Sequence, residues 1–169
     1  MAKRAKRMHE KKADMMHINF KELETEIIDA LAKNKVWILA TASGGRVTAR
    51  SVSIVNEGLR CYFQTDTVFD KYQHIIANPN VALCFGNIQI EGKAKVRGPV
   101  LAPENQNIAG LYKQAHHRSY LRYSHLKNEV FIEVQPSLIT LWKYIDDKPC
   151  RDFLFIAEGI ATREYYHPE

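Results

Sequence analysis

The sequence predicts a mainly β fold of the α+β class, an antiparallel barrel flanked by helices. Two observations carry this expectation. Short apolar or alternating runs recur between tight turns built on Gly, Asn and Pro, and only three stretches carry helical character. The chain has 169 residues, 46% of them hydrophobic and 25% charged, which fits one globular domain with a real core.

Each element follows from local pattern. Between Asn19 and Asn34, Phe20, Leu23, Ile27, Ile28 and Leu31 recur at spacings of three and four, and Asn19 is a suitable N-cap. Val36–Ala42 is an apolar strand, and Ser43-Gly44-Gly45 supplies a hairpin turn. Arg46–Asn56 alternates, with a slip between Ala49 and Val52 that predicts a bulge near Arg50. Asn56-Glu57-Gly58 turns the chain into a third strand, Leu59–Thr65. Thr67–Ala77 is an amphipathic helix, opened by a Thr67-x-x-Asp70 capping box and stopped by Pro79. Val81–Phe85 and Asn87–Arg97 are the next strands, with Gly92 marking a bulge or bend. Pro103 to about Leu126 is polar and helical. Val130–Val134 and Leu138–Trp142 are strand-like runs separated by Gln135-Pro136-Ser137, and Phe153–Ile156 is a last short strand.

Composition narrows the function classes. Lys3, Arg4, Lys6, Arg7, Lys11 and Lys12 against Glu10 account for the whole formal net charge of +5, so the remainder is formally neutral. Residues 1–17 are expected to form a basic, solvated arm, and the neutral body argues against a nucleic-acid-binding face. No apolar run approaches the roughly 20 residues of a membrane span, and no secretory signal is visible. The three cysteines share no metal-ligand spacing, and Cys61 and Cys84 lie in apolar runs where a buried thiol acts as a small hydrophobe. A reducing cytoplasm is the simplest setting. His116-His117 point in different directions on a helix and do not make a metal pair. Hydrolase, phosphate-loop and dinucleotide glycine motifs are absent from the sequence.

The chemistry concentrates around Lys71. A cation in a first helical turn runs against the helix dipole, and Thr65 with the free N–H groups of the helix start offers an anion a cradle. Arg50 sits inside a strand that should face a core, where a charge needs a partner. Counting out from the turn at Asn56–Gly58 brings Ser51–Ser53 opposite the third strand and Arg50 near the loop bearing Thr65. Arg50, Thr65 and Lys71 then make a phosphate clamp; the alternative is a local ion pair of Arg50 with Asp66 or Asp70. Asn87 and Gln89 are amides able to bond a heterocycle, and Trp142 is either a ring neighbour or a packed core residue.

These residues, in this order and spacing, resemble the pyridoxamine 5′-phosphate oxidase-like, FMN-binding split-barrel family. The resemblance runs from about Val36 to Val96 and resumes weakly near Leu138–Phe155. It rests on Gln64-Thr65, Lys71 and Asn78-Pro79-Asn80-Val81 in ungapped register, on Arg50-Ser51-Val52 and on Gly92-Lys93-Ala94. It implies a six- to seven-stranded Greek-key split barrel as one FMN-binding domain over residues 18–169. FMN would lie at a homodimer interface, its phosphate on Arg50, Thr65 and Lys71 with Gln64 beside Thr65. The backbone of Ser51, Val52 and Ser53 would follow the isoalloxazine, Asn87 would stand near the ring, and Trp142 would reach it from the partner chain.

The departures are informative. Asp70 stands where an Arg commonly precedes the phosphate Lys, and Val55 where the true oxidases carry a Lys. Lys148-Pro149-Cys150-Arg151-Asp152-Phe153 replaces their Arg-x-His-Asp-Arg-like segment for pyridoxal phosphate. The resemblance therefore implies an FMN-dependent oxidoreductase passing electrons between a reductant and a small molecule other than a B6 vitamer, with no catalytic side chain assigned. The alternative is a non-catalytic flavin- or haem-binding carrier, sensor or stress protein, with His116, His117 or His125 as a haem ligand.

Overall fold

The computed structural model describes residues 15–166. Its strands are β1 (Met15–Ile18), β2 (Val36–Ser43), β3 (Arg46–Ser53), β4 (Val55–Glu57), β5 (Arg60–Asp66), β6 (Asn80–Phe85), β7 (Ile88–Pro99), β8 (Glu129–Ile145), β9 (Lys148–Phe155) and β10 (Ile160–Tyr165). The helices are α1 (Phe20–Lys33), α2 (Asp70–Ala77), α3 (Gln106–Ala115) and α4 (His117–Tyr123), with a 3-10 turn at Pro103–Asn105. Every ladder is antiparallel. None of the described helices is long and apolar enough to cross a membrane.

The mainly β, antiparallel expectation holds, with ten strand segments in one sheet. The long path runs β1-β10-β9-β8-β7-β6-β2-β3, while β5 pairs with both β8 and β4. Strand β3 breaks at Ile54, whose N–H donates to the Lys35 carbonyl at 2.8 Å, and the chain continues directly as β4. The ring β2–β3/β4–β5–β8–β7–β6 therefore returns on itself through a covalent step, and β3 makes no ladder to β5. That missing ladder is the split. Strands β9, β10 and β1 extend the sheet outside the ring.

Local chemistry explains the elements. The Asn19 side-chain oxygen accepts from the N–H of Lys21 at 2.9 Å and of Glu22 at 3.3 Å, capping α1, whose Leu23, Ile27 and Leu31 enter the core. Gly44 and Gly45 take φ of 55° and 80° in the β2–β3 turn, as a two-residue hairpin requires. Gly92 marks a register shift between β7 and β8. A Cβ there would overlap the Gln135 carbonyl oxygen and meet Pro136 Cα at 3.0 Å, so only glycine permits the crossing.

Four expectations change. The runs around Gln135-Pro136-Ser137 form one continuous strand. Pro136 is tolerated because the β5 ladder ends at Val134 and the β9 ladder begins at Leu138, so its missing N–H costs no bond on that side. Met15–His17, placed in the solvated arm by composition, pair instead with Glu164–Thr162 on β10; residues 1–14 of that arm lie outside the described residues. Cys84 is exposed, whereas Cys61 and Cys150 are buried. The last strand pair is a full hairpin, β9–β10, locked by Asp152. This fully buried carboxylate takes both Arg163 nitrogens at 2.6 and 2.7 Å and Lys143 at 2.9 Å. Burial alone would raise its pKa, but bonds from Arg163 and Lys143 hold it below the ordinary carboxylate range.

Gly92→Ala is expected to destabilise the fold by about 2–3 kcal/mol, because the new methyl meets backbone rather than a movable side chain. Urea unfolding with an unchanged midpoint would refute this account of the β7–β8 crossing.

Candidate functional site

Arg50 owes its place to an unbroken ladder. Strand β3 pairs with β2 from Val36↔Ser53 to Ser43↔Arg46 without the bulge expected near Arg50. Alternation then sends Thr48, Arg50 and Val52 inward and Val47, Ala49 and Ser51 outward; the apparent slip in the sequence arose because Val47 and Ala49 are apolar residues on the exposed side. The Arg50 guanidinium donates to Thr41 Oγ1 at 2.7 Å, to the Leu39 carbonyl at 3.3 Å and to Thr48 Oγ1. These acceptors are neutral. Burial lowers the pKa of Arg50, and Arg46 adds to that while Asp70 opposes it.

Lys71 comes from the other side of the split. The chain leaves β5 and enters α2 at Asp70, two residues later than a capping box with Thr67 as N-cap predicts. Thr67 does not cap: the N-cap is Phe69, without a side-chain bond, while Asp66 is engaged one turn earlier, accepting from the Val68 N–H at 2.9 Å. The first N–H groups of α2 are therefore left without a side-chain acceptor. Lys71 Nζ lies 4.3 Å from the Phe69 ring centroid. Its pKa is lowered by burial first and by Arg50 second, with Glu129 and Asp66 opposing. Asp70 faces Arg46 instead, at 3.4 Å and well exposed. Among the described residues, neither Arg50 nor Lys71 has a carboxylate at ion-pair distance. Two neighbouring cations thus lack a counter-ion.

The hairpin count is met by a ladder only at Val55–Glu57, while Ser51–Ser53 pair with Ile38–Val36 of β2 on one edge and make no ladder to β5 on the other. Helix α2 packs over β2, the ladder partner of β3, and the Arg50 charge lowers the pKa of Lys71. Thr65 is buried on the inward face of β5, its hydroxyl donating to the Asp66 carbonyl at 3.2 Å. Gln64 points to the opposite face, where its amide donates to Ser119 Oγ at 3.4 Å and accepts from Ser124 Oγ at 2.7 Å. Its side chain is tied to α4 and the residue following it, away from the two cations.

Two residues escaped sequence reasoning. His74, on α2 and only 8% exposed, places Nδ1 3.1 Å from Thr41 Oγ1 and 3.5 Å from Thr48 Oγ1. Its i, i+3 spacing from Lys71 was the available signal. Glu129 opens β8 opposite Asp66 and is 7% exposed. Burial chiefly, then Asp66, push its carboxyl up to about 7 against the pull of Lys71. An acid heading the apolar run Glu129-Val130-Phe131-Ile132 was the cue.

Asn87 and Trp142 lie elsewhere on the chain, bonded to each other: the Asn87 amide donates to the Trp142 carbonyl at 2.6 Å, and the Trp142 N–H to the Asn87 carbonyl at 3.0 Å. Trp142 is not a core residue. It is 36% exposed, beside Tyr144 and Tyr166 at ring separations of 6.3 and 6.2 Å. Gln89 turns outward to Glu91 at 2.9 Å. Of the histidines, His116 Nε2 lies 2.9 Å from the Ile54 carbonyl and its ring rests on Tyr112, while His117 and His125 are exposed. Val52 is buried, and Ser51 and Ser53 lie along the free edge of β3, which has no ladder on that side.

Comparison with known proteins agrees with this architecture. The family model described as pyridoxamine 5′-phosphate oxidase matches residues 23–143. General stress protein 26 of Bacillus subtilis is 28% identical over 88 residues, 47% of this chain and 63% of that protein; the match thus spans under two thirds of its length. The solved General Stress Protein 26 of Bacillus anthracis, 23% identical, covers 80% of this chain and 99% of its own at a TM-score of 0.59. A FAD-binding protein of Mesorhizobium loti (14% identical, 74% and 94% covered) has a TM-score of 0.55. HutZ, the haem storage protein of Vibrio cholerae (12% identical, 70% and 91% covered), has one of 0.57.

The carboxyl of Glu129 titrates near 7 in the folded chain against an ordinary value of 4.5, so folding favours its protonated form. Its stabilising contribution is complete below pH 4.5 and is lost as pH rises through 7. Glu129→Gln should flatten the fall in Tm across that window and melt above the parent at about pH 8. Parallel Tm–pH curves for the two proteins would contradict the assignment.

Proposed function

The chain belongs to the pyridoxamine 5′-phosphate oxidase family, and on that footing we propose that it is a dimeric FMN-binding flavoprotein of the oxidoreductase type. The observation that carries this reading is the Arg50–Lys71 pair, two cations without a counter-ion beside an uncapped helix start. A phosphate monoester suits that arrangement: it neutralises both charges and accepts from the open N–H groups of α2. Thr65 lies at the strand end that leads into the same turn. Along the free edge of β3, unpaired backbone groups between Ser51 and Ser53 are available to the polar rim of a flat heterocycle.

FMN, when bound, would supply the electron transfer, and the chain would supply orientation and charge. Arg50 and Lys71 would fix the phosphate, and the β3 edge would set the height of the ring. Asn87 keeps one amide N–H and its oxygen beyond the bond to Trp142. The C-terminal segment supports a substrate other than a B6 vitamer. Asp152 and Cys150 are buried, Asp152 is held by Arg163 and Lys143, and Arg151 is paired with Glu164 at 3.4 Å. Val55 is likewise buried beneath α3. The three free cysteines suit a reducing cytoplasm.

The dimer is supported by the outer face of β2, β3 and β6. Val36, Ile38, Ala40, Ala42, Val47 and Ala82 lie there, with Val47 71% and Ile38 43% exposed. A sheet face this apolar on three adjoining strands gains by being covered.

Titrating the protein into FMN should quench flavin fluorescence. Arg50→Ala and Lys71→Ala should each weaken FMN about 10- to 100-fold, as expected for losing one charged donor. If saturating protein leaves flavin fluorescence untouched, the flavin reading falls. Ile38→Asp should convert the dimer to a monomer in light scattering and weaken FMN in parallel; a monomeric parent protein would overturn the dimer.

A further inference from the structure

We infer that His74 is the positioning residue of the two-cation site, holding Arg50 through two threonine hydroxyls and Lys71 through the shared face of α2. The inference rests on the phosphate-binding reading of that site. It follows from counting donors. Arg50 donates to both Thr41 Oγ1 and Thr48 Oγ1. Each hydroxyl, having accepted, keeps one proton to give. Thr41 and Thr48 lie 3.4 Å apart and cannot both spend that proton on each other. The remaining acceptor is His74 Nδ1, at 3.1 Å from Thr41 and 3.5 Å from Thr48. The hydroxyl that does not donate to its threonine neighbour can give its proton to the imidazole, completing a chain from Arg50 to threonine to His74. In that arrangement His74 presents a bare Nδ1 and carries its proton on Nε2.

Two consequences follow from geometry. The guanidinium is held by neutral acceptors only, so its full charge is preserved for an anion, whereas a carboxylate in the place of His74 would cancel it. His74 also lies one helical turn beyond Lys71, so both project from one face of α2. Anchoring the imidazole to β2 and β3 sets the distance of the Lys71 ammonium from Arg50. A buried polar link between a strand pair and a crossover helix is otherwise a poor way to gain stability, since apolar contact would serve as well.

The test separates phosphate from ring. Dissociation constants for FMN and riboflavin are measured by fluorescence quenching on the parent chain, His74→Leu, His74→Asn and Thr41→Val. His74→Leu should weaken FMN about tenfold, the loss expected for one misplaced charged contact, while riboflavin affinity stays the same. His74→Asn, whose side-chain oxygen can replace Nδ1 as acceptor, should recover most of the FMN preference, and Thr41→Val should behave like His74→Leu. An unchanged FMN-to-riboflavin ratio in His74→Leu would overturn the inference, as would equal losses for both ligands in His74→Leu and His74→Asn. If the parent chain binds FMN no better than riboflavin, the phosphate reading itself fails, and this inference with it.

Discussion

One strand organises the molecule. Strand β8 is 17 residues long and serves three ladders: β7 along most of its length, β5 on its first half and β9 on its second. The first half belongs to the barrel ring, the second to the extension made by β9, β10 and β1. Its two outer ladders hand over between Val134 and Leu138, and there the register with β7 shifts by one residue, Ser137, as Gly92 makes room for the Gln135–Pro136 backbone. Asp152 holds the extension at its far end. Its ion pairs reach Lys143 on β8 and Arg163 on β10, and Lys143 also bridges to Glu26 of α1 at 2.7 Å. With one partner removed, that buried carboxylate is a liability of several kcal/mol, which makes the extension and α1 cooperate in folding.

The site occupies the place where this order stops. Between β3 and β5 there is no ladder, and the connection from β5 to β6 runs through α2, which packs on β2. The gap collects what the core excludes: Arg50, Lys71, Glu129, Asp66 and the polar set Thr41, Thr48 and His74. Mutual repulsion between Arg50 and Lys71 works against the fold, and burial of each adds to it. Such a pair is retained where a ligand repays it. Asp70, one of the two alternative ion-pair partners for Arg50, sits on the solvent side of α2 beside Arg46.

The sequence carried the fold better than the site. Hydrophobic period and turn chemistry located β2, β3, β6 and α1, and the Gly92 irregularity, because each depends on neighbours within a few residues. It missed β1 and β10, whose pairing is long-range: Met15 meets Glu164. It misjudged the start of α2, since Thr67-x-x-Asp70 fits a capping box that the turn around Asp66 pre-empts. In the site, Arg50 and Lys71 were visible as charges in the wrong places. Gln64 shares Thr65's neighbourhood in sequence but not in space, because adjacent strand residues face opposite sides. His74 and Glu129 gave little sign, since a helix histidine and a strand-opening acid are ordinary until their partners 33 and 63 positions away are placed.

The same alternation joins the proposed anion site to the proposed dimer face. On β3, Arg50 points inward while Ala49 and Ser51 point outward. On β2, Leu39 and Thr41 point inward while Ile38, Ala40 and Ala42 point outward. Small residues on the outer side let a second sheet approach closely, while threonines on the inner side hold the guanidinium. An apolar run such as Val36-Trp37-Ile38-Leu39-Ala40 reads as a strand buried on both faces, and within one chain only one of those faces is covered. The uncovered face and the uncompensated charge are one residue apart along β3. A partner pressed on Ala49 and Ser51 would therefore fix the backbone that carries Arg50, so that covering the sheet and ordering the site would be the same structural event.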